Sequence, residues 1–310
     1  MIIRLGYACI SKTINVTPSS PFTYTEYTKT HNLEKLDKVI ISNLEALNEL
    51  IIYNIKNNIH FFRLSSKIIP LATLEDINFD YYQKYQNYYD EISSNINKSN
   101  MRIDFHPDQF CVLNSTKKEV VNNSINILKY HYNLLDYLKI KNKILILHIG
   151  SSTFGKENSL KRFINNFNKL PDYLKECIAI ENDDKVFDIK DCLYLNKILN
   201  IKVVLDVHHN KCNGNYNLKE IFNDVMNTWN ITPKIHYSSP KNKTKKDFRS
   251  HHDYIDSKDF IKFLNEIKFI NRDLDIMIEA KGKDEALFKL IRELKYKTNY
   301  KFIDETSFII

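Results

Sequence analysis

Residues 177–184 read CIAIENDD, with four apolar or small residues running straight into Glu181, Asn182, Asp183 and Asp184. An apolar run this short, bounded by polar residues, is the pattern of a buried parallel strand. Acids clustered at the exit of such a strand are costly to bury unless a cation or hydrogen-bond donors compensate them. Taken alone, the stretch reads first as an ordinary strand end with solvated acids. It gains weight because the same construction recurs along the chain, each time with a metal-ligand residue at the same end.

Upstream, short β-rich runs cover Ile2–Tyr7, His60–Leu64, Met101–Phe105 and Lys143–Leu147; downstream they cover Ile201–Leu205, Pro233–Ile235 and Leu274–Ile278. Helical spacing of apolar residues fills the intervals at Leu33–Asn57, Asp76–Asn97, Glu119–Leu138, Ser159–Leu170 with Pro171–Glu176, Asp188–Leu199, Leu218–Trp229, Lys258–Phe269 and Asp284–Tyr296. Ser11–Thr30 reads as a loop, and the tail 298–310 carries no clear pattern. Eight strands alternate with helices, and every interval is long enough for a crossover helix. The expected fold is α/β, a single (β/α)8 TIM barrel over about 2–297, in one domain spanning 1–310. An open doubly wound sheet competes poorly, since the chain has no GxGxxG or Walker loop and only five glycines.

Composition narrows the class. Hydrophobic residues at 43% and charged residues at 27% are ordinary for a soluble enzyme. A net charge of +7 suits a polyanionic partner without demanding one. Five cysteines, Cys9, Cys111, Cys177, Cys192 and Cys212, form no CxxC pair and are odd in number, so they read as reduced thiols of a cytoplasmic protein. The start MIIRLGYACI turns polar too soon for a signal peptide, and no run of 18 apolar residues offers a membrane span.

In a barrel the C-terminal strand ends meet around one mouth, where active sites lie. This sequence places His106, His148, Glu181, Asp206, His209, His236 and Glu279 there. Any one of them could be a hydrogen-bonded core residue, but six consecutive strands ending in ligand-type residues form a pattern. Imidazole with carboxylate suits Zn, Mn or Fe, and seven donors exceed the four or so that one ion takes, which implies two or three metals. His208 adjoins His209 and, on an extended chain, would face away from the mouth. His31, His60, His131 and His252 read as structural or surface residues. Ions a few ångströms apart suit phosphodiester hydrolysis. The rivals are a metal-dependent sugar isomerase or epimerase and a non-enzymatic metal-dependent binding protein.

The substrate side is basic. Residues 238–251, SSPKNKTKKDFRSH, carry Lys241, Lys243, Lys245, Lys246 and Arg249 against the single acid Asp247, and end at His251. Such a loop at the mouth would meet phosphates, although many charge runs are simply solvated. Arg63, Ser65 and Ser66 at the second strand end are further candidates for backbone contact. Gln109 and Phe110 follow Pro107 and could enter a duplex as a wedge, or Phe110 could pack in the core. Tyr7 could stack on a base or be buried.

The motifs RLGY (4–7), FRLSS (62–66), PLAT (70–73), FHPDQF (105–110), LHIG (147–150), ENDD (181–184), LDVHH (205–209), KIHYSSPK (234–241), RSHHDY (249–254) and MIEAKGKD (277–284) resemble the UV damage endonuclease family, over about 2–297. The resemblance implies a barrel nuclease related to endonuclease IV. It implies a nick immediately 5′ to cyclobutane pyrimidine dimers, 6-4 photoproducts and other lesions, with abasic-site cleavage as the neighbouring alternative. It implies a monomer acting on damaged double-stranded DNA with three divalent metal ions, manganese favoured over zinc, magnesium or cobalt. By matching motif, His106, His148 and Glu181 would hold the first ion. Glu181 would bridge to a second, completed by Asp206, His236 and Glu279, and His209 with His251 would hold the third. Lys234 matches a lysine carboxylated in the family, which makes it catalytic together with Glu181 and Glu279. Gln109, Phe110 and Tyr7 match residues that probe the lesion. One departure stands out. The family commonly reads PLATH, whereas here Leu74 follows Thr73, and leucine neither binds metal nor transfers a proton. The segment between His236 and His251 is also longer than the family pattern leads one to expect.

Overall fold

In the computed structural model, residues 1–74, 77, 79–244 and 246–310 are described; Lys245 of the basic loop lies outside them. The strands are short and buried on both faces: β1 (Ile2–Ala8), β2 (Phe61–Leu64), β3 (Arg102–Phe105), β4 (Leu145–His148), β5 (Ile178–Glu181), β6 (Lys202–Val204), β7 (Lys234–Tyr237) and β8 (Leu274–Ile278). They pair in parallel in chain order from β1 to β6, while β7 pairs with β8 and β8 returns to β1. Between β6 and β7 the ring closes through a parallel bridge of Asp206 with His236 and a hydrogen bond from His236 N to Leu205 O of 2.9 Å. This is the expected (β/α)8 barrel.

Strand alternation decides which side chains enter the barrel. On β3, Ile103 and Phe105 turn outward, and the Phe105 ring lies 4.7 Å from that of His131 on the outer helix Lys118–Tyr137. Asp104 and His106 therefore turn inward. On β7, Tyr237 packs outward against Phe260 and Phe263 of the helix Ser257–Ile267, leaving Lys234 and His236 inside. Below the mouth the interior holds two small apolar clusters, Ile144, Ile146, Ala179, Val204 and Trp229 in one and Ala8, Phe61 and Met277 in the other, beside the buried Asp104–Lys234 pair. Gly6 is required there, because a Cβ would lie 2.5 Å from Phe61 O and 2.7 Å from its ring.

Three local elements differ from expectation. The helix expected from Asp76 begins only at Gln86, as Gln86–Ser99, because Asp80 Oδ1 accepts from the N–H groups of Tyr82 and Gln83 and turns the chain first; Asp76 itself is outside the described residues. Within the expected loop, Tyr24–Thr30 is helical, capped by Thr23 Oγ1 on Glu26 N. The tail forms two short antiparallel strands, Lys301–Phe302 and Ser307–Ile309. The second pairs with the start of β1, along the edge that β2 does not reach.

His131 makes the outer core acid-sensitive. It is buried, its Nδ1 faces Ile127 O at 2.8 Å, and its Nε2 has no hydrogen-bond partner among the described residues. Burial pushes its pKa from 6.5 down to about 4. Between these values the unfolded chain takes up a proton that the folded chain refuses, so stability falls as pH drops from 6.5 towards 4. The full loss is about 3 kcal/mol, at 1.36 kcal/mol per pKa unit. Urea unfolding of the wild type and His131→Phe at pH 7.5 and 4.5 is expected to show a pH-dependent loss about 3 kcal/mol smaller in the variant, the share that His131 carries.

Candidate metal centre

Glu181, the last residue of β5, is 1% exposed and stands at the centre of the mouth. Its Oε2 lies 2.8 Å from His106 Nε2 and 3.7 Å from His148 Nε2; its Oε1 lies 2.7 Å from His236 Nδ1 and 3.7 Å from His209 Nδ1. Each carboxylate oxygen thus faces a different set of donors. Two triads have ligand atoms within 4.8 Å of one another, His106–His148–Glu181 and Glu181–Asp206–His236, with Glu181 common to both.

Asp206 is placed by a turn that the strand pattern did not announce. After β6 the chain enters a short helix, Val207–Cys212, with Asp206 as its N-cap accepting from His209 N at 2.7 Å. The chain here is helical rather than extended, so His208 and His209 do not point to opposite faces. The His208 ring lies 5.7 Å from that of His251, and the His209 ring 6.1 Å. Asn182 holds this turn: its Oδ1 accepts from Asp206 N at 2.9 Å, its Nδ2 donates to Asp206 O at 3.1 Å, and its own carbonyl faces His209 Nδ1 at 2.9 Å. Of the ENDD acids only Glu181 enters the centre. Asp183 instead accepts from the N–H groups of Lys185, Val186 and Phe187, and Asp184 faces Arg249 at 3.7 Å.

The donor set fits divalent cations. Among the described residues Asp206 Oδ2 and His148 Nδ1 are buried without a hydrogen-bond partner, His209 Nδ1 approaching Asp206 Oδ2 only to 3.7 Å, an arrangement that natural proteins avoid unless something else satisfies the atom. Carboxylate oxygens and imidazole nitrogens converge there, as Mn, Zn or Fe require. Burial alone would raise the Glu181 carboxyl, but His236, His148 and the His106 hydrogen bond hold it well below its usual range. Burial lowers His148 and His236 despite the facing acids. At His209 burial is outweighed by Asp206, Glu181 and Glu279, which hold the imidazolium at about 9.

Glu279 sits at the rim of this cluster. Its Oε1 lies 3.4 Å from His236 Nδ1, and its Oε2 lies 3.9 Å from His251 Nδ1. Its partner in the structure is Arg63, whose Nη1 donates to Oε1 at 2.7 Å while Nη2 lies 2.6 Å from His236 Nε2. Burial notwithstanding, Arg63 keeps Glu279 well below the usual carboxylate range. Arg63 is therefore no surface contact for a DNA backbone. It is buried among the ligand residues because it points inward from β2, beside Asp104.

Two further expectations change. Tyr7 is fully buried, its hydroxyl donating to Asn54 Oδ1 at 2.7 Å and its ring against Phe62, so it is not presented to a base. Lys234 does not face the ligand cluster. Its ammonium pairs with Asp104 Oδ2 at 2.5 Å, both side chains fully buried. Burial lowers it to about 8 against the pull of Asp104. A carbamate at that nitrogen would put a second negative charge against Asp104.

The remaining substrate-side residues lie outside. Gln109 is exposed, and Phe110 is 71% exposed rather than in the core. The bridge of Pro240 with His251 and the hydrogen bond from Lys241 N to Ser250 O pinch off 241–250 as one lobe. It carries exposed Lys241, Lys243, Lys246 and Arg249, and Phe248 seats it against the His208 ring. Leu74 packs half-buried against the core. Among the described residues no helix is long and apolar enough to cross a membrane.

The profile of the UV-endonuclease UvdE family matches residues 3–307. A UV DNA damage endonuclease of Bacillus cereus is 39% identical over 304 residues, covering 95% of each chain. The crystal structure of SacUVDE superposes with a TM-score of 0.87 at 35% identity, covering 95% of this chain and 98% of that one. Endonuclease IV from Thermus thermophilus matches with a TM-score of 0.57 at 10% identity, over 95% and 100% of the two chains, a likeness of fold alone. With nearly its whole length matched by the family profile, the chain belongs to the UV-endonuclease UvdE family.

Proposed function

We propose that this protein is a metal-dependent endonuclease that hydrolyses the phosphodiester immediately 5′ to cyclobutane dimers, 6-4 photoproducts and related lesions in double-stranded DNA. The observation that carries this reading is the shared position of Glu181, one carboxylate oxygen towards each triad, in a chain of this family. His106, His148 and Glu181 would hold one divalent ion, and Glu181, Asp206 and His236 a second, with Glu279 at its edge. His209 and His251 would flank a third. Manganese is the favoured metal. Held by these residues, the ions would supply nucleophile activation at neutral pH and charge stabilisation at the phosphate.

The chain's own residues do the rest. Asn182 fixes the Asp206 turn, so that the second triad is formed before substrate arrives. Arg63 neutralises Glu279 from below and leaves its outer oxygen towards His251. Leu74 offers neither a proton nor a metal ligand. Without metal, Asp206, Glu181 and Glu279 hold His209 protonated, and it would give up that proton on binding an ion.

The test is incubation of the manganese-loaded protein with a duplex containing one thymine dimer. A single nick 5′ to the dimer is expected. Intact DNA after loading with manganese, zinc or cobalt would remove the proposal. Two companion results are expected. Binding should weaken steeply with salt, because the 241–250 lobe neutralises phosphates; a flat response in anisotropy would argue against a DNA substrate. The double variant Gln109→Ala, Phe110→Ala should lower the preference for damaged over intact duplex about tenfold, the order expected for one lost base-stacking contact.

A further inference from the structure

The loop after β4 presents a second aromatic side chain that the wedge reading does not use. Phe154 is 77% exposed, more open than Phe110. It is the third residue of a turn closed by Gly155 N donating to Ser152 O at 2.9 Å, and its φ is +62°. Turns of this kind ask for glycine or asparagine at that position, and a bulky side chain there is a marked outlier. Such strain persists only where the surroundings over-determine it, and it concentrates at sites that bind or switch.

The surroundings here are well braced. Arg162 Nη2 donates to Thr153 O at 2.6 Å, Ser159 Oγ reaches the same carbonyl at 3.3 Å, and Asn158 Nδ2 donates to Phe154 O at 2.9 Å. The loop is also tied to the one that carries Phe110. Asn114, four residues beyond Phe110, donates through Nδ2 to Ser151 O at 2.8 Å and accepts at Oδ1 from Ser151 N at 3.2 Å, while Arg162 Nε reaches Asn114 O at 2.8 Å. Gly150, at φ +116°, lets Asn114 in, since a Cβ there would overlap the Asn114 amide. The two loops follow the C-terminal ends of the adjacent strands β3 and β4, which deliver His106 and His148 to the centre.

We infer that Phe154 is a specificity-determining residue: a second apolar wedge that, paired with Phe110 across the Asn114 tie, stacks on bases unstacked at the lesion. The inference rests on the proposed function, because it takes duplex DNA as the occupant of this rim. An exposed apolar ring held in a strained turn beside a ligand strand is suited to entering a distorted duplex, where bases already unstacked are the cheapest to reach.

The experiment is competitive anisotropy with full-length, manganese-loaded protein, using duplexes that carry one thymine dimer with phosphorothioate linkages at the scissile position. Wild type, Phe154→Ala and Phe154→Tyr are compared. Because Phe154 is exposed, removing it takes nothing from the core. Phe154→Ala is expected to lose about tenfold of the preference for damaged over intact duplex, and Phe154→Tyr to keep it. An unchanged preference in Phe154→Ala, with a discriminating wild type, overturns this inference and leaves the nuclease reading standing. An equal fall in affinity for both duplexes also overturns it, since the ring would then be a general contact. A wild type without preference removes the underlying reading and the inference together.

Discussion

Glu181→Gln is expected to lower incision of dimer-containing DNA by about a thousandfold or more. Among the described residues each other triad member belongs to one triad, whereas Glu181 belongs to both, through Oε2 to His106 and His148 and through Oε1 to His236. Replacing one oxygen with an amide removes a charge and turns an acceptor into a donor, so both groups lose their common acid. Losing about 4 kcal/mol of charge stabilisation at the phosphate corresponds to a thousandfold in rate. The substitution keeps volume and stays at the mouth, above the apolar layer of Ile146, Ala179 and Val204. Melting in chelator is therefore expected to stay within a few degrees of wild type, since relieving a buried charge offsets the lost hydrogen bonds. Metal content of the purified variant, measured beside incision, should fall with activity. Full activity in Glu181→Gln would remove the bridging role.

Lys234→Met is expected to act in the opposite way, on stability more than on chemistry. Asp104 and Lys234 are both fully buried, and the next cation, Arg63, reaches Asp104 only at 4.0 Å. Asp104 stays below its usual carboxylate range in spite of burial because Lys234 and Arg63 hold it there. Removing one member of a buried pair strands the other, at about 3–5 kcal/mol. Urea unfolding should show a loss of this size, and the double variant Asp104→Leu, Lys234→Met should recover most of it. A stable Lys234→Met protein that fails to bind metal would instead return Lys234 to the metal centre, as the family pattern implied.

These two cases mark what the sequence made legible. Strands buried on both faces and separated by helical intervals announced the barrel, because burial leaves a run of apolar residues whatever the tertiary detail. Strand ends then indicated which side chains gather at the mouth. They did not indicate depth. Arg63 and Tyr7 were assigned to DNA from their place at strand ends, and Lys234 to the metals by family motif, yet all three are buried beneath or behind the surface. Asp104 was passed over although it sits two residues before His106 on β3 and so shares its inward face. Asn182 was quoted within ENDD but counted among acids, and nothing in a linear pattern shows that an amide will hold the Asp206 turn. The helix Val207–Cys212 hid for a related reason: six residues give too little periodicity, and the Asp206 cap signal was read as a ligand alone. Gln109 and Phe110 lie at an exposed loop tip, the position on which the wedge reading depends.

The most direct test of the central claim is an anomalous difference map from crystals of this protein soaked in manganese. The account predicts peaks on both sides of the Glu181 carboxylate, one among His106 and His148 and one among Asp206 and His236. Crystals that diffract well and show no anomalous density in contact with Glu181 would contradict it.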